Sequence, residues 1–310
     1  MNHSLVRPLF SGLLDIVGDI HGEADALQSL LGHLGYANDG RHPAGRRLVF
    51  LGDLTDRGPD SPAVVEFVKQ LVDSGHAQCV LGNHDLNLLL NHRKHDNHWF
   101  FGEEWSLDRS GHRTPAVLAD DGIRQTVVDL FKSLPLVLER EDVRVVHACW
   151  DDSLVNIARH SSDVLSLYQQ YKDQIDADHV TRPELDKIDR GLNHQNRNPV
   201  KVLTSGKEQR VEEPFEASGK MRREKRVEWW KVYDGDPFCV FGHYSNYRGK
   251  ENCSARAFCA DFAVAKRWEE RKERSFDGRY RGQLAAVRSP EQVVMFDNGD
   301  AERISGGESR

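Results

Sequence analysis

The sequence predicts a mixed α/β fold in which buried strands alternate with amphipathic helices. Three apolar runs in the first third of the chain are each followed by a glycine-containing loop and then by apolar residues at helical spacing. The runs are Leu13–Val17, Leu48–Leu51 and Ala77–Leu81. Short apolar runs bounded by turn residues are typical of buried strands. Strand–loop–helix units repeated in this way are typical of α/β proteins with right-handed crossovers.

Composition narrows the class of protein. The 310 residues suffice for one large domain or two ordinary ones, and the net charge of −7 argues against general nucleic-acid binding. No apolar run is long enough to span a bilayer, and the first residues show no signal-peptide pattern. The five cysteines are scattered and odd in number, which suits buried free thiols in a reducing compartment. We therefore expect a cytoplasmic protein with no membrane partner.

The first predicted strand ends in a Gly-Asp-Ile-His-Gly motif at residues 18–22, before a helix predicted over Glu23–Leu34. Asp19 and His21 are two residues apart, so in extended backbone their side chains point the same way and can reach one metal ion. A carboxylate with a neutral imidazole suits iron, manganese, zinc or nickel better than calcium. A helix-capping aspartate beside a solvated loop histidine is the alternative interpretation.

The second predicted strand ends in a Gly-Asp-Leu-Thr-Asp-Arg-Gly motif at residues 52–58, before a helix predicted over Ala63–Ser74. Asp53 and Asp56 can hold cations, and Arg57 can clamp a phosphate bidentately. Capping aspartates with a surface arginine would give the same local pattern, because Asp and Gly are common in turns. Ligand-type residues at four other strand ends favour a site.

The third predicted strand ends in a Gly-Asn-His-Asp motif at residues 82–85. Asn83 can offer a neutral oxygen to a metal, and His84 can donate a proton. A capping asparagine beside an incidental histidine is the alternative. The next predicted elements are a helix over Asp121–Ser133 and strands at Leu136–Leu138 and Val143–Val146. His147 directly follows the last of these strands, where the other candidate ligands lie if the sheet is continuous.

A later strand, predicted at Phe238–Phe241, is followed by Gly-His-Tyr at residues 242–244, which places His243 at another strand end. Lys266–Arg281 is predicted as a charged loop, and residues 297–310 as a polar, frayed end. The remaining predicted strands are Arg256–Val264, Gln283–Arg288 and Gln292–Phe296.

Two segments are less regular. His92–His112 is rich in His, Trp and Phe but lacks compact ligand spacing, so we expect a partly exposed lid or cap surface and not a metal cluster. Asp151–Asp236 is charged, with helical stretches around Ser161–Ile175 and Pro183–Arg190. Gly206–Arg226 within it is basic and turn-rich, and we expect most of its charges to be solvated.

Taken together, these ordered motifs resemble the calcineurin-like metallophosphoesterases, within them the branch of phosphoprotein (serine/threonine) phosphatases and bacterial diadenosine tetraphosphatases. The resemblance covers Leu13–Val146 and Phe238–Phe296. It implies a four-layer fold in which two mixed β-sheets are sandwiched between helices. It also implies a single domain over residues 1–310, with residues 151–236 inserted as a cap or substrate-specificity region.

The resemblance assigns two divalent or trivalent metal ions, with Mn²⁺ as the expected ion and Fe, Zn or Ni as alternatives. The first metal is held by Asp19 and His21, and Asp53 bridges both ions. The residues implied for the second metal are Asn83, His147 and His243. Many relatives carry a further histidine after the last of these, where this chain has Tyr244-Ser245. Water is expected to complete the first coordination sphere.

The implied chemistry is phosphoester hydrolysis by a metal-activated hydroxide that attacks phosphorus in line. Arg57 and Asn83 would contact the phosphoryl group, and His84 would be the general acid, oriented by Asp56. A second phosphate-binding arginine is expected from the insert. The candidates are Arg222 and Arg223.

Three functions are compatible with this pattern. The leading hypothesis is a bacterial-type phosphoprotein phosphatase, because Asp56 is present where many related tetraphosphatases have alanine. The alternative is a dinucleoside polyphosphate hydrolase, in which Trp99, Phe100 or Trp105 would stack on adenine. The third is an inactive metal-binding scaffold, ranked last because every ligand is present. A phosphorylated protein or a small phosphoester is thus the expected partner, and the pattern leaves the oligomeric state open.

Overall fold

Two mixed β-sheets form the centre of the protein. The computed structural model describes residues 4–94, 96–103, 105–107, 113–217, 220–247 and 249–304. Within these residues the first sheet has six strands, and the three at one side of it are parallel. In spatial order they are β15 (Ala301–Arg303), β14 (Val293–Phe296), β13 (Ala285–Ser289), β2 (Leu14–Val17), β3 (Arg47–Phe50) and β4 (Ala77–Cys79).

The second sheet has five strands in the described part of the chain. Its one antiparallel pair there is β7 with β8, and its other neighbours are parallel. In spatial order its strands are β1 (Val6–Pro8), β7 (Val137–Glu139), β8 (Val143–Val146), β11 (Phe238–Phe241) and β12 (Ala257–Cys259). A mixed α/β fold with two mixed sheets therefore confirms the predicted fold class.

A buried hydrophobic cluster fills the space between the sheets. Ile16 and Val49 of the first sheet lie in it together with Val145, Val240 and Phe258 of the second, and all five are fully buried. Because successive side chains of a strand point to opposite faces, the same strands also supply residues to the other side of each sheet.

Helices cover the outer face of the first sheet. Val17 and Phe50 belong to a second buried cluster that also contains Leu27 and Val68. The latter two lie on α1 (Ala24–Leu34) and α2 (Ser61–Asp73), whose apolar residues recur at helical spacing as predicted. The other helices outside the insert are α3 (Asn83–Leu89), α4 (Asp121–Ser133) and the short α9 (Arg267–Glu270).

The insert is more structured than the sequence predicted. Four helices and a long hairpin replace the two predicted helical stretches. They are α5 (Asp152–Arg159), α6 (Val164–Thr181), α7 (Lys187–Arg197), α8 (Pro199–Ser205), β9 (Glu208–Ala217) and β10 (Lys220–Arg226). The prediction of a turn-rich segment over Gly206–Arg226 is wrong, because this segment forms the hairpin. Its strands carry charged residues on both faces, so they lack the apolar alternation that identifies a half-buried strand.

The aromatic segment contains a 3₁₀ helix at His98–Phe101 and a two-stranded hairpin, β5 (Trp105–Leu107) with β6 (Arg113–Pro115). His95 and His112 of this segment lie outside the described residues. The predicted free cysteines are confirmed, since all five are unpaired and four are buried. Among the described residues, no helix combines the length and apolar character needed to cross a membrane.

Candidate metal centre and active site

The candidate ligands meet where strands of both sheets end. Asp19 and Asp53 follow β2 and β3 of the first sheet, and His147 and His243 follow β8 and β11 of the second. The carboxyl ends of parallel strands are where ligands bind in open α/β sheets. Together with Asn83, which opens α3, these side chains lie within a few ångströms of one another.

One group of candidate ligands surrounds His21. Its Nε2 lies 3.9 Å from Oδ2 of Asp19 and 3.8 Å from Oδ2 of Asp53. Its Nδ1–H donates to the carbonyl oxygen of Thr55 at 3.1 Å. This hydrogen bond leaves the lone pair on Nε2, the nitrogen that faces the two carboxylates.

A second group shares Asp53 with the first. His147 Nε2 lies 3.4 Å from Oδ2 of Asp53 and 3.3 Å from Oδ1 of Asn83. His243 Nδ1 is 2.7 Å from the same Asn83 oxygen. Its Nε2 is buried with no hydrogen-bond partner in the described residues. The Nδ1–H of His147 donates to the carbonyl oxygen of Leu51 at 2.6 Å, so its Nε2 can act as a ligand.

Charge at the site favours bound cations. Burial raises the pKa of Asp19 and of Asp56 well above the usual range of a carboxyl group, and raises that of Asp85 to about 7. Asp261, buried beside them, is shifted in the same direction for the same reason. Carboxylates, an amide oxygen and imidazoles form a donor set that divalent transition metals accept. Two cations sharing Asp53 would neutralise this excess of buried acid.

Backbone conformation at the site is strained. Asp53, Asp56 and Arg57 have φ values of 48°, 74° and 69°, and His21 and His243 have φ values of 50° and 66°. Positive φ is uncommon for residues other than glycine and costs on the order of 1–3 kcal/mol each. The surrounding packing therefore holds these five residues in conformations that local sequence disfavours.

Glycine precedes four of the five candidate ligand loops, all but that of His147, and close packing explains two of these glycines. A Cβ placed on Gly82 would lie 2.2 Å from both the backbone nitrogen and Oδ1 of Asp53. One on Gly242 would lie 2.1 Å from Oδ1 of Asp19. Only hydrogen fits at these two positions.

Asp85 is a supporting residue that sequence reasoning missed. Its carboxylate accepts hydrogen bonds from the backbone N–H groups of Asp53 at 2.8 Å, Leu54 at 3.1 Å and Gly82 at 3.0 Å. It therefore fixes the loop that presents the shared ligand. Its position directly after His84 in the Gly-Asn-His-Asp motif is the sequence feature that could have indicated a role at the site.

Asp261 was also missed. It is buried and lines the same cavity as Asp19. It follows β12 by two residues, so its position at a strand end was a signal of the same kind as the others.

His84 and Asp56 form the pair that the sequence predicted. His84 Nδ1 and Asp56 Oδ2 are 2.8 Å apart, and the Nε1–H of Trp99 donates to the other carboxylate oxygen at 2.8 Å. Trp99 is fully buried, so its expected role in stacking on adenine is wrong. Phe100 is buried as well, and the side chain of Trp105 lies outside the described part of the structure.

A cavity of about 350 Å³ joins this centre to the insert. Arg57 lines it from the core, and Arg222 and Arg226 line it from the hairpin. Arg226 donates to the carbonyl oxygen of His243 at 3.1 Å, a contact that sequence reasoning did not single out. Arg223 is not among the lining residues, so Arg222 and Arg226 are the hairpin arginines that reach the cavity.

Another His–Asp cluster lies in the insert, where Asp176 and His179 of α6 approach His194 of α7. The carboxylate of Asp176 is already paired with Lys172 at 2.7 Å and with His194 at 3.0 Å. These contacts account for its charge without a cation.

The fold and the strand-end cluster of carboxylates, amide and imidazoles are those expected of a phosphoesterase with a site for two metal ions. The sequence model of the calcineurin-like phosphoesterases matches residues 13–267, and the chain belongs to this family. It is therefore a hydrolase that acts on phosphoester bonds, and the family implies a site for two divalent metal ions.

Two bacterial proteins illustrate the similarity of this sequence to known proteins. The chain is 27% identical over 242 residues to bis(5'-nucleosyl)-tetraphosphatase PrpE [asymmetrical] of Oceanobacillus iheyensis, which covers 74% of this chain and 76% of the relative. It is 36% identical over 138 residues to the protein of the same name from Geobacillus sp. (strain WCH70), covering 44% of this chain and 56% of the relative.

Solved structures agree on the fold. One described as a diadenosine tetraphosphatase is 21% identical, with a TM-score of 0.50 over 99% of this chain and 100% of the other. A mutant of a cold-active protein tyrosine phosphatase is 15% identical, with a TM-score of 0.55 over 97% of this chain and 82% of the other.

Proposed function

We propose that this phosphoesterase hydrolyses dinucleoside tetraphosphates, with water cleaving one phosphoanhydride bond to release a nucleoside triphosphate and a nucleoside monophosphate. The observation that carries the proposal is the cavity in which Arg222 and Arg226 of the insert face the site that contains Arg57. A chain of phosphates needs positive charge along its length, whereas a monoester carries its charge at one end. The names of the bacterial relatives support the same substrate class.

The residues that would hold the two cations are those that the geometry brings together. Asp19, His21 and Asp53 would hold the first. Asp53 with Asn83, His147 and His243 would hold the second. Bound there, divalent ions supply Lewis acidity to water and to phosphoryl oxygens. Manganese is the expected ion, and the donor set also suits iron, zinc or nickel.

Arginines and Asn83 would position the phosphoryl group. The guanidinium of Arg57 is half-buried at the cavity wall, where it can bind two phosphoryl oxygens. Charge that develops on those oxygens in the transition state is stabilised by fixed donors of this kind. Arg226 would supply the second guanidinium from the hairpin.

His84 would give the leaving oxygen its proton. Asp56 holds the ring through Nδ1, so Nε2 is the nitrogen that can face the substrate. The carboxylate also stabilises the protonated ring before transfer. We place this activity in the cytoplasm, which the free cysteines support.

A substrate panel on the purified, manganese-loaded protein tests the proposal. We expect the highest kcat/KM for diadenosine tetraphosphate, compared with a phosphoserine peptide, a phosphotyrosine peptide and p-nitrophenyl phosphate. Asp53→Asn should abolish all activity and so exclude a contaminating enzyme. A higher kcat/KM for either peptide would contradict the proposal.

Phosphoprotein hydrolysis is the second candidate, favoured by the pairing of His84 with Asp56. An alkoxide leaving group such as serine needs a proton more than a phosphate leaving group does. The same panel decides between the two, since a preference for the phosphoserine peptide would establish this second function. Loss of activity on every substrate, with metal still bound, would establish the scaffold alternative.

A further inference from the structure

The cavity contains a second group of positive charges besides its arginines. Lys94, in the segment after α3, is exposed at the rim, and Lys201 of α8 is half-buried. Both line the cavity that contains Asp53. His92 lines the same cavity, and partial desolvation followed by the charges of the two lysines lowers its pKa.

In the part of the chain that the structure describes, neither ammonium group is in contact with an anionic partner. Within the described residues, Lys94 and Lys201 make hydrogen bonds through their backbones, and their Nζ atoms form no hydrogen bond or ion pair. Two other lysines of the insert are paired, Lys172 with Asp176 and Lys207 with Asp151. The ammonium groups of Lys94 and Lys201 differ from these two in lining the cavity without a bonded carboxylate from any described residue.

Bringing these two charges together is unfavourable. Partial desolvation at the rim lowers the pKa of Lys94, and the charge of Lys201 lowers it further. Burial also lowers the pKa of Lys201, and Glu208 offsets only part of this. An anion bound between the two ammonium groups would remove the repulsion and compensate the lost hydration.

Local structure fixes Lys201 in this position. Asn198 caps α8, and its Oδ1 accepts from the backbone nitrogens of Val200 at 3.1 Å and Lys201 at 3.4 Å. The Nδ2–H of Asn198 donates to the carbonyl oxygen of Tyr168 at 2.9 Å, which ties α8 to α6. The cap thus fixes the backbone from which the Lys201 side chain reaches the cavity, and a fixed backbone lowers the entropic cost of binding.

Two arginines of the cavity lie near the candidate metal ligands. The charge of Arg57 lowers the pKa of His21 after burial, and that of Arg226 does the same for His243. One cavity thus carries guanidinium groups at the candidate metal ligands and ammonium groups near His92. An extended anion can contact both groups, whereas a single phosphate bound at the metal ligands has no charge left for the lysines.

We propose that Lys94 and Lys201 form a second phosphate subsite, which binds the phosphates of a polyphosphate chain that are remote from the bond being cleaved. This inference rests on the proposed function and adds to it the residues that recognise chain length. The subsite would select polyphosphates over monoesters.

Calorimetry with two non-hydrolysable ligands tests the subsite at a fixed free concentration of Mn²⁺. The long ligand is bis(phosphonomethyl)phosphinate, the analogue of tripolyphosphate with carbon bridges, and the short one is methylphosphonate. We expect Lys94→Met and Lys201→Met each to raise the Kd of the long ligand about tenfold, or about 1.4 kcal/mol. The Kd of the short ligand should change less than threefold.

Matched variants separate charge from structure. Lys187→Met removes an exposed lysine of the insert that does not line the cavity, and should change neither Kd. Lys201→Arg keeps the charge and should restore most of the affinity for the long ligand. If Lys201→Met does not fold, Lys94→Met at the exposed rim provides the same comparison.

An unchanged Kd for the long ligand, or equal rises for both ligands, would overturn the subsite. Neither ligand contains a nucleoside, so the outcome is independent of the substrate panel. Selective loss in an enzyme that prefers phosphopeptides would support the subsite and reject the proposed substrate. If the enzyme prefers diadenosine tetraphosphate but its lysine variants bind the long ligand normally, the subsite is rejected and the proposed substrate is supported.

Discussion

At the scale of single residues, the contacts of Asp56 define how His84 can work. One carboxylate oxygen of Asp56 meets Nδ1 of His84 and the other accepts from buried Trp99, so the carboxylate cannot rotate without losing a hydrogen bond. A fixed hydrogen bond to Nδ1 keeps the ring in one orientation. This arrangement suits proton donation to a leaving oxygen.

His84→Asn should therefore slow the enzyme most on substrates with poor leaving groups. We expect kcat to fall by about 10²–10⁴ on alkyl phosphates and by much less on p-nitrophenyl phosphate, whose leaving group needs little protonation. Steady-state rates over a series of leaving groups measure the difference. Asp56→Asn should show the same trend. Equal losses across the series would argue against a general acid.

Gly82→Ala should damage the metal centre without a change in charge. Its Cβ would lie 2.2 Å from Asp53, so the loop of the shared ligand must move. We expect weaker manganese binding by calorimetry and a loss of most activity. The control is Gly32→Ala, on an exposed position of α1 with no atom within 4 Å of the new Cβ. That variant should gain about 0.5–1 kcal/mol of stability and keep its activity. Normal metal affinity in Gly82→Ala would contradict the packing argument.

Residues of the site could be predicted where their position along the chain carried the signal. Asp19, Asp53 and His243 each directly follow an apolar strand and a glycine, so their convergence was expected from the α/β pattern. Trp99 and Arg226 could not be placed in this way. Trp99 reaches Asp56 from an aromatic segment whose burial the sequence does not reveal, and Arg226 depends on the path of an insert with no recognisable pattern.

At the scale of secondary-structure elements, α8 links the insert to the cavity. It is only seven residues long, so its stability depends on its cap and on packing against α3, α5, α6 and α7. Asn198 provides the cap and also bonds to α6. Any loosening of this helix should displace Lys201.

Asn198→Ala should consequently lower both stability and affinity for polyphosphates. Loss of an N-cap costs about 0.5–2 kcal/mol, measurable by chemical denaturation. We also expect a higher KM for diadenosine tetraphosphate. Asp120→Ala is the matched control, because Asp120 caps α4 through Ile123 N and does not line the cavity. It should lose similar stability with no change in KM. If both variants changed KM equally, the effect would not come from α8.

Elements with apolar periodicity were predicted closely, and polar elements were missed. The bounds of α4, β8 and β11 match the prediction, since each has a clear apolar pattern between turn residues. The hairpin of β9 and β10 was missed because its sides are polar and largely exposed. Pairing along its length, and not burial of one face, holds it together.

At the scale of the whole molecule, bound metal should contribute to stability. The site buries several carboxylates that repel one another, and bound cations would relieve this repulsion. Free metal at about 100 times its Kd would stabilise the folded state by about 2.7 kcal/mol. Thermal unfolding should therefore shift to lower temperature when a chelator is added, and recover with Mn²⁺. Asp53→Asn should show a much smaller shift, and an equal one would place the stabilising metal elsewhere.

The two-sheet architecture itself could not be derived from local pattern. Neighbouring strands come from distant parts of the chain, as β8 pairs with β11 and β2 with β13. Strand lengths and apolar runs carry no information on such partners. The ordered motifs supplied the two-sheet architecture, because their resemblance to a known family implied it, but they did not supply the strand partners.

The shared carboxylate belongs to one sheet and its histidine neighbours to the other. Asp53 follows β3, whereas His147 and His243 follow β8 and β11. The distance between the carboxylate and the two imidazoles therefore depends on how the two sheets pack against each other. Side chains such as Val145, deep between the layers, thus act as spacers for a reaction they never touch. A substitution that loosens the packing between the sheets should therefore change the distances between Asp53 and the two histidines before it unfolds the chain.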